Sequence, residues 1–210
     1  ATITHASTLD CADYLGFAYC VTSSRDTPVK TAGTVATTTY QPTIPAGTCI
    51  ANTPERLLVA NTLSFPSRLC YSGASNFTDF TIGASASSSS YEDITAPGSY
   101  LTHLAYRYGR WMWWKNSSFG FLVGDNQANL NLVTVSNYLG TLDNTDVFDE
   151  NVTYFRGNDN EFYYYDGASY ARISRAISPT AQTANRRKAA SWTQTSQAEF
   201  QNGSGVPSAN

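Results

Sequence analysis

Few residues in this chain stand in patterns that could do chemistry. The histidines are His5 and His103, far apart in sequence. His103 lies in an aromatic, apolar stretch, where a packed, hydrogen-bonded structural histidine is expected. No G-x-S-x-G nucleophile elbow occurs, and neither the G-x-x-x-x-G-K-[ST] nor the G-x-G-x-x-G phosphate loop is present. Glycoside hydrolysis needs two carboxylates about 5 Å or about 6.5–9.5 Å apart. Glu92, Glu150 and Glu161 lie near aromatic residues that could stack on sugars, but sequence does not fix their separation. The acidic stretch from Asp143 to Glu150 offers oxygen ligands without the EF-hand spacing, so a solvated acidic loop is expected there. Cys11, Cys20, Cys49 and Cys70 fit no zinc pattern; their even number allows two disulfides in three pairings. The reading is a protein with no catalytic residues, no cofactor and no metal.

The composition narrows the class. Of 210 residues, 14% are charged and 41% hydrophobic. The usual charged share is about 25%, and the apolar share is enough for a core, which excludes wholesale disorder. The net charge of −3 argues against a dedicated nucleic-acid module. Arg186, Arg187 and Lys188 form a short basic run, read as a solvated face or as a contact to phosphate or to an acidic neighbouring subunit. No apolar run approaches the length of a membrane span. The first residue is Ala1, which is read as the start of a mature fragment cut from a preprotein or polyprotein. Asn76, Asn116, Asn151 and Asn202 head N-x-[ST] triplets, which a chain rich in Ser, Thr and Asn produces by composition.

These residues must be positioned by strands. The segment 31–43 is rich in β-branched residues. Thr53 with Pro54 is read as the cap of a short helix, and Leu101, Leu104 and Ala105 as one helical turn. Phe77–Ile82 reads as a strand, and Ala84–Ser90 as a flexible Ser/Ala loop. From Tyr106 the pattern changes to strand alternation. Tyr106, Tyr108, Arg110, Met112 and Trp114 share one expected face; Arg107, Gly109, Trp111, Trp113 and Lys115 share the other. Tyr106, Tyr108, Trp111, Trp113 and Trp114 are therefore candidates for core or interface. Phe119–Val123 and Leu130–Val135 read as further strands. Val152–Arg156 and Glu161–Tyr165 read as a hairpin around Gly157-Asn158-Asp159-Asn160. Many short strands make an all-β sandwich or barrel. No repeat of 20–50 residues is visible, which disfavours a propeller or solenoid.

The segment Ser99-Tyr100-Leu101-Thr102-His103-Leu104-Ala105-Tyr106-Arg107-Tyr108-Gly109-Arg110-Trp111 resembles a segment in capsid proteins of picorna-like, dicistrovirus-like viruses. Glu55-Arg56-Leu57-Leu58 and Arg68-Leu69 are loosely similar to the residues that precede it there. The order Gly109-Arg110 reverses the family's Arg-Gly, and its Asp-Asp-Phe maturation motif is absent. The resemblance implies a single jelly-roll β-sandwich over residues 1–210, with long loops and one or two short helices. Extended arms would cover about 1–30 and about 180–210. It also implies a structural capsid protein of a small non-enveloped icosahedral virus, assembling in host cytoplasm with reduced cysteines. Its partners would be copies of itself and sister capsid proteins, with a host receptor outside and genomic RNA at the inner face. Obligate interfaces of this kind commonly exceed about 2,000 Å². The alternative is a secreted β-sandwich protein that binds or hydrolyses carbohydrate.

Overall fold

The computed structural model describes residues 8–32, 38–142, 146–149 and 151–174. These residues form strands and loops with no α-helix, so the all-β expectation holds. Sheet 1 contains β1 (Leu9–Tyr14), β2 (Phe17–Thr22), β3 (Val29–Thr31) and β4 (Thr39–Tyr40). Sheet 2 contains β5 (Cys49–Asn52), β6 (Leu57–Ala60), β7 (Arg68–Tyr71) and β8 (Ser90–Asp93). Sheet 3 contains β9 (Leu101–Arg107), β10 (Arg110–Lys115), β11 (Phe119–Val123) and β12 (Asn131–Ser136). Sheet 4 contains β13 (Asp146–Asp149), β14 (Val152–Arg156), β15 (Phe162–Tyr165) and β16 (Tyr170–Arg172).

Each sheet is an antiparallel meander of four consecutive strands, and none closes on itself. A jelly roll exchanges strands between two packed sheets; these strands make no such exchange. Residues 9–31 are three paired strands instead of an extended arm. The expected arm at about 180–210 lies outside the described residues.

Turn chemistry sets these meanders. Leu15-Gly16 and Tyr108-Gly109 take left-handed backbone at both positions, with φ of 48° and 76° in the first pair and 55° and 67° in the second. That geometry makes a two-residue hairpin whose twist matches its strands. The second turn cuts the stretch that the sequence reads as one strand. Tyr106 becomes the cross-strand partner of Trp111, and Arg107 that of Arg110.

The sheets pack face to face in chain order. Between sheets 1 and 2 lie Ala12, Tyr19, Val21, Ile50, Leu57 and Val59. Between sheets 2 and 3 lie Ala51, Leu58, Ala60, Tyr71, Trp111, Trp113 and Leu122. Between sheets 3 and 4 lie Met112, Trp114, Phe119, Phe121, Phe155 and Tyr165. Sheets 2 and 3 thus bury both faces, and alternate residues of one strand enter opposite clusters. The β9 register shifts opposite Trp114/Lys115. That bulge puts Leu101 and Leu104, three apart, into the same cluster and imitates helical spacing within a strand.

Other local expectations resolve similarly. Thr53 Oγ1 accepts the N–H groups of Glu55 and Arg56 at 3.2 and 2.8 Å. This is cap chemistry, but it closes the β5–β6 turn without starting a helix. Phe77–Ile82 forms turns with isolated bridges nearby, because Asp79 takes the Thr81 N–H on its own carboxylate. The Ser/Ala loop is anchored: buried Arg56 donates to the carbonyls of Ser72, Ala86 and Ser88. Lys115 is also buried and donates to the carbonyls of Ile94 and Ala96. Desolvation lowers its pKa. Cys11 and Cys20 face each other across β1 and β2 and form a disulfide, while Cys49 and Cys70 are free thiols.

Gly120 faces the β12 backbone at Val133 and Thr134, and a Cβ there would meet the Trp113 ring at 2.7 Å. Gly120→Ala is expected to lower stability by about 1–3 kcal/mol, and Trp113→Ala by about 3–5 kcal/mol. Urea denaturation of both variants checks this. Unchanged midpoints would place neither residue between packed sheets.

Candidate functional site

The structure separates the sequence candidates. Trp111, Trp113 and Trp114 are almost fully buried. Trp111 and Trp113 enter the cluster shared with sheet 2, and Trp114 enters the one shared with sheet 4. Tyr106 and Tyr108 are half-buried at the rim. The Tyr108 hydroxyl donates to the Tyr165 carbonyl at 2.6 Å. These five residues are positioned as core and rim of the sheet stack. Glu92 belongs to sheet 2 and Glu161 to the β14–β15 turn of sheet 4, and no described cavity holds both. Arg186, Arg187, Lys188, His5 and Glu150 lie outside the described residues. Among the described residues no group of three His, Cys, Asp or Glu side chains could hold a metal ion, and no helix is long and apolar enough to cross a membrane.

A different set of residues converges. Tyr138, Leu139, Asn158, Asp159, Tyr163 and Tyr170 line an open cleft of about 380 Å³ beside the seam of sheets 3 and 4. The turn after β12 supplies Tyr138, which is 80% exposed. The β14–β15 turn supplies Asn158 and Asp159. It is tied down by the Asn158 N–H donating to the Gly140 carbonyl at 2.9 Å. The β15 and β16 strands supply Tyr163 and Tyr170, which also pack against the cluster between sheets 3 and 4. The Tyr163 hydroxyl donates to Asp159 Oδ2 at 2.7 Å. Burial, then the Asp159 carboxylate, pushes the Tyr163 pKa up to about 12, so the phenol keeps its proton at neutral pH. The cleft offers aromatic faces beside amide and carboxylate groups, which suits a ligand with both C–H faces and hydroxyls. The sequence carried one signal for it. The 157–160 turn and the following tyrosines were legible as a hairpin, but Tyr138 joins them only through the fold.

A second cavity, about 250 Å³, lies where the first strands of the four sheets meet. His103, on β9, is buried, and its Nε2 lies 2.7 Å from Asp146 Oδ1 on β13. The pair joins β9 to β13 across two sheets. Arg107 lies 3.7 Å from the other carboxylate oxygen. The histidine is thus packed as expected, against the Trp114 ring, but its polar partner is an acid on another sheet.

No family model matches the chain, and no curated protein matches it. Among solved structures it is similar to YCF48 from Cyanidioschyzon merolae, with 12% identity and a TM-score of 0.37 over 77% of this chain and 70% of that one. A likeness at that level carries no argument about fold or function.

Burial of Asp146 works to raise its pKa, but the His103 contact and the Arg107 charge outweigh it and leave the carboxyl below its ordinary value. A depressed folded pKa means that the unfolded chain binds the proton more readily. The contact therefore stabilises the fold above the unfolded value of about 3.9, and this is lost as pH falls through the lower folded value. Thermal melts of the Asp146→Asn variant between pH 6 and pH 3 are expected to show a shallower acid decline than the parent. Parallel declines would mean that the carboxylate carries no such linkage.

Proposed function

We propose that this chain is a non-catalytic recognition module that binds carbohydrate in the cleft lined by Tyr138, Asn158, Asp159, Tyr163 and Tyr170. The observation that supports this reading is the convergence of three tyrosines with an amide and a carboxylate on a fixed turn. Sugar rings present C–H faces that pack on aromatic rings and hydroxyls that both donate and accept hydrogen bonds. Tyr138 supplies the exposed stacking face, while Asn158 and Asp159 supply the polar edge. Four consecutive four-stranded sheets whose first strands meet at one cavity fit a propeller-type arrangement better than a jelly roll, and such arrangements leave clefts between adjacent sheets. The Cys11–Cys20 disulfide is at home in an oxidising compartment and favours the secreted alternative.

A shell-forming capsid subunit is the competing reading of the same sequence. It rests on the resemblance of residues 99–111 and on a two-sheet jelly roll, with the aromatic strand shared between core and interface; the tryptophans of that strand are buried between sheets of one chain, which leaves them no part in an interface. The carbohydrate reading therefore has the better geometric support.

A glycan array probed with the full chain, followed by calorimetry on the best binder, tests this. Saturable binding is expected, weakened at least tenfold by Tyr138→Ala without loss of thermal stability. No binding to any glycan, or binding indifferent to Tyr138→Ala, would overturn the proposal. Particles of uniform shell size in negative stain would favour the capsid reading over it.

A further inference from the structure

We propose that the cavity where the first strands meet is a second binding site, for one small, neutral, polyhydroxylated molecule. It stands apart from the tyrosine cleft and does not depend on it. β1, β5, β9 and β13 are each the edge strand of their sheet, so the backbone groups on their outer sides have no ladder partner. Part of that demand is met within the protein. Asp10 Oδ2 accepts the Ile50 N–H at 2.9 Å, and the Asn52 side chain donates to the Asp13 carbonyl at 2.7 Å.

Several side-chain groups around the cavity are not satisfied in this way. His103 and Asp146 line the cavity with side chains only 8% and 9% exposed. Among the described residues His103 Nδ1, Arg107 Nε and Asp146 Oδ2 are buried without a hydrogen-bond partner. Buried polar atoms are almost always satisfied by protein, by ordered water or by a ligand. Here the unmet atoms include a donor, Arg107 Nε, and an acceptor, Asp146 Oδ2, around one space.

The chemistry of the lining selects the ligand class. The carboxylates of Asp10 and Asp146 line the cavity together with the guanidinium of Arg107 and the ring of His103, so the lining carries both signs of charge and is not built for a single free ion. A hydroxyl both donates and accepts, and several on one small frame answer Arg107, His103 and Asp146 together. A volume of about 250 Å³ lies below the roughly 300–1,000 Å³ of sites for drug-sized ligands. It suits a single sugar ring or cyclitol. The rival occupant is a cluster of ordered water.

The test uses the full chain with D-glucose, D-galactose and myo-inositol as separate probes. The sequence has two histidines, so the His103 ring signals are assignable by NMR with one histidine variant, His5→Gln. At least one probe is expected to shift the His103 signals saturably. Arg107→Gln is expected to weaken that binding at least tenfold, while Tyr138→Ala leaves it unchanged. If no probe moves the His103 signals in the parent protein, the cavity holds water only and the proposal fails. It fails equally if binding follows Tyr138→Ala and ignores Arg107→Gln, because the probe is then in the cleft. The NMR readout on the parent stands even if a variant does not fold.

Discussion

The structure depends on two sheets that are buried on both faces. In the inner strands β6 and β10 nearly every position is buried, so the sequence there does not alternate apolar with polar residues. Leu57-Leu58-Val59-Ala60 and Trp111-Met112-Trp113-Trp114 are the result. Each residue is apolar, and successive side chains go to opposite neighbours. Burying large aromatic and aliphatic side chains is the main favourable term in folding, and here it also fixes the order of the sheets. Sheet 3 holds sheet 2 on one face through Trp113 and sheet 4 on the other through Trp114.

This constraint explains what the sequence could and could not tell. The all-β class was legible from short strands, β-branched runs and turn residues, and the β14–β15 hairpin lay where its Gly-Asn-Asp-Asn turn put it. The sheet arrangement was not legible. A strand buried on both faces has no period of two, and periodicity alone does not distinguish it from a buried helix. The bulge in β9 completed the disguise by bringing Leu101 and Leu104 to one side. Tyr108-Gly109 in turn hid inside an apparent strand, because a tyrosine with left-handed backbone is rare and only the glycine after it signals the hairpin. The four meanders share a topology and differ too much in sequence and loop length to read as a repeat.

The polar sites follow from the same packing. Once the flat faces are consumed by apolar contacts, polar groups collect at the sheets' edges and ends. Arg56 and Lys115 are buried at such ends and spend their charge on backbone carbonyls. Asp10, His103, Arg107 and Asp146 gather where the inner edges meet. The tyrosine cleft forms where the turns of sheets 3 and 4 come together. His103 was readable as a packed histidine, but its acidic partner lies on another sheet. Tyr138, Asn158 and Tyr170 come together only when sheets 3 and 4 stack.

The central claim is that neighbouring tryptophans of β10 point into different sheet interfaces. An aromatic NOE experiment on the intact protein tests it most directly. The account predicts that the Trp113 ring contacts side chains of the cluster shared with sheet 2, the cluster in which the Trp111 ring meets Tyr71, and that the Trp114 ring contacts Phe155 of sheet 4. Contacts from both rings to the same sheet, or to strands interleaved between two sheets, would contradict it.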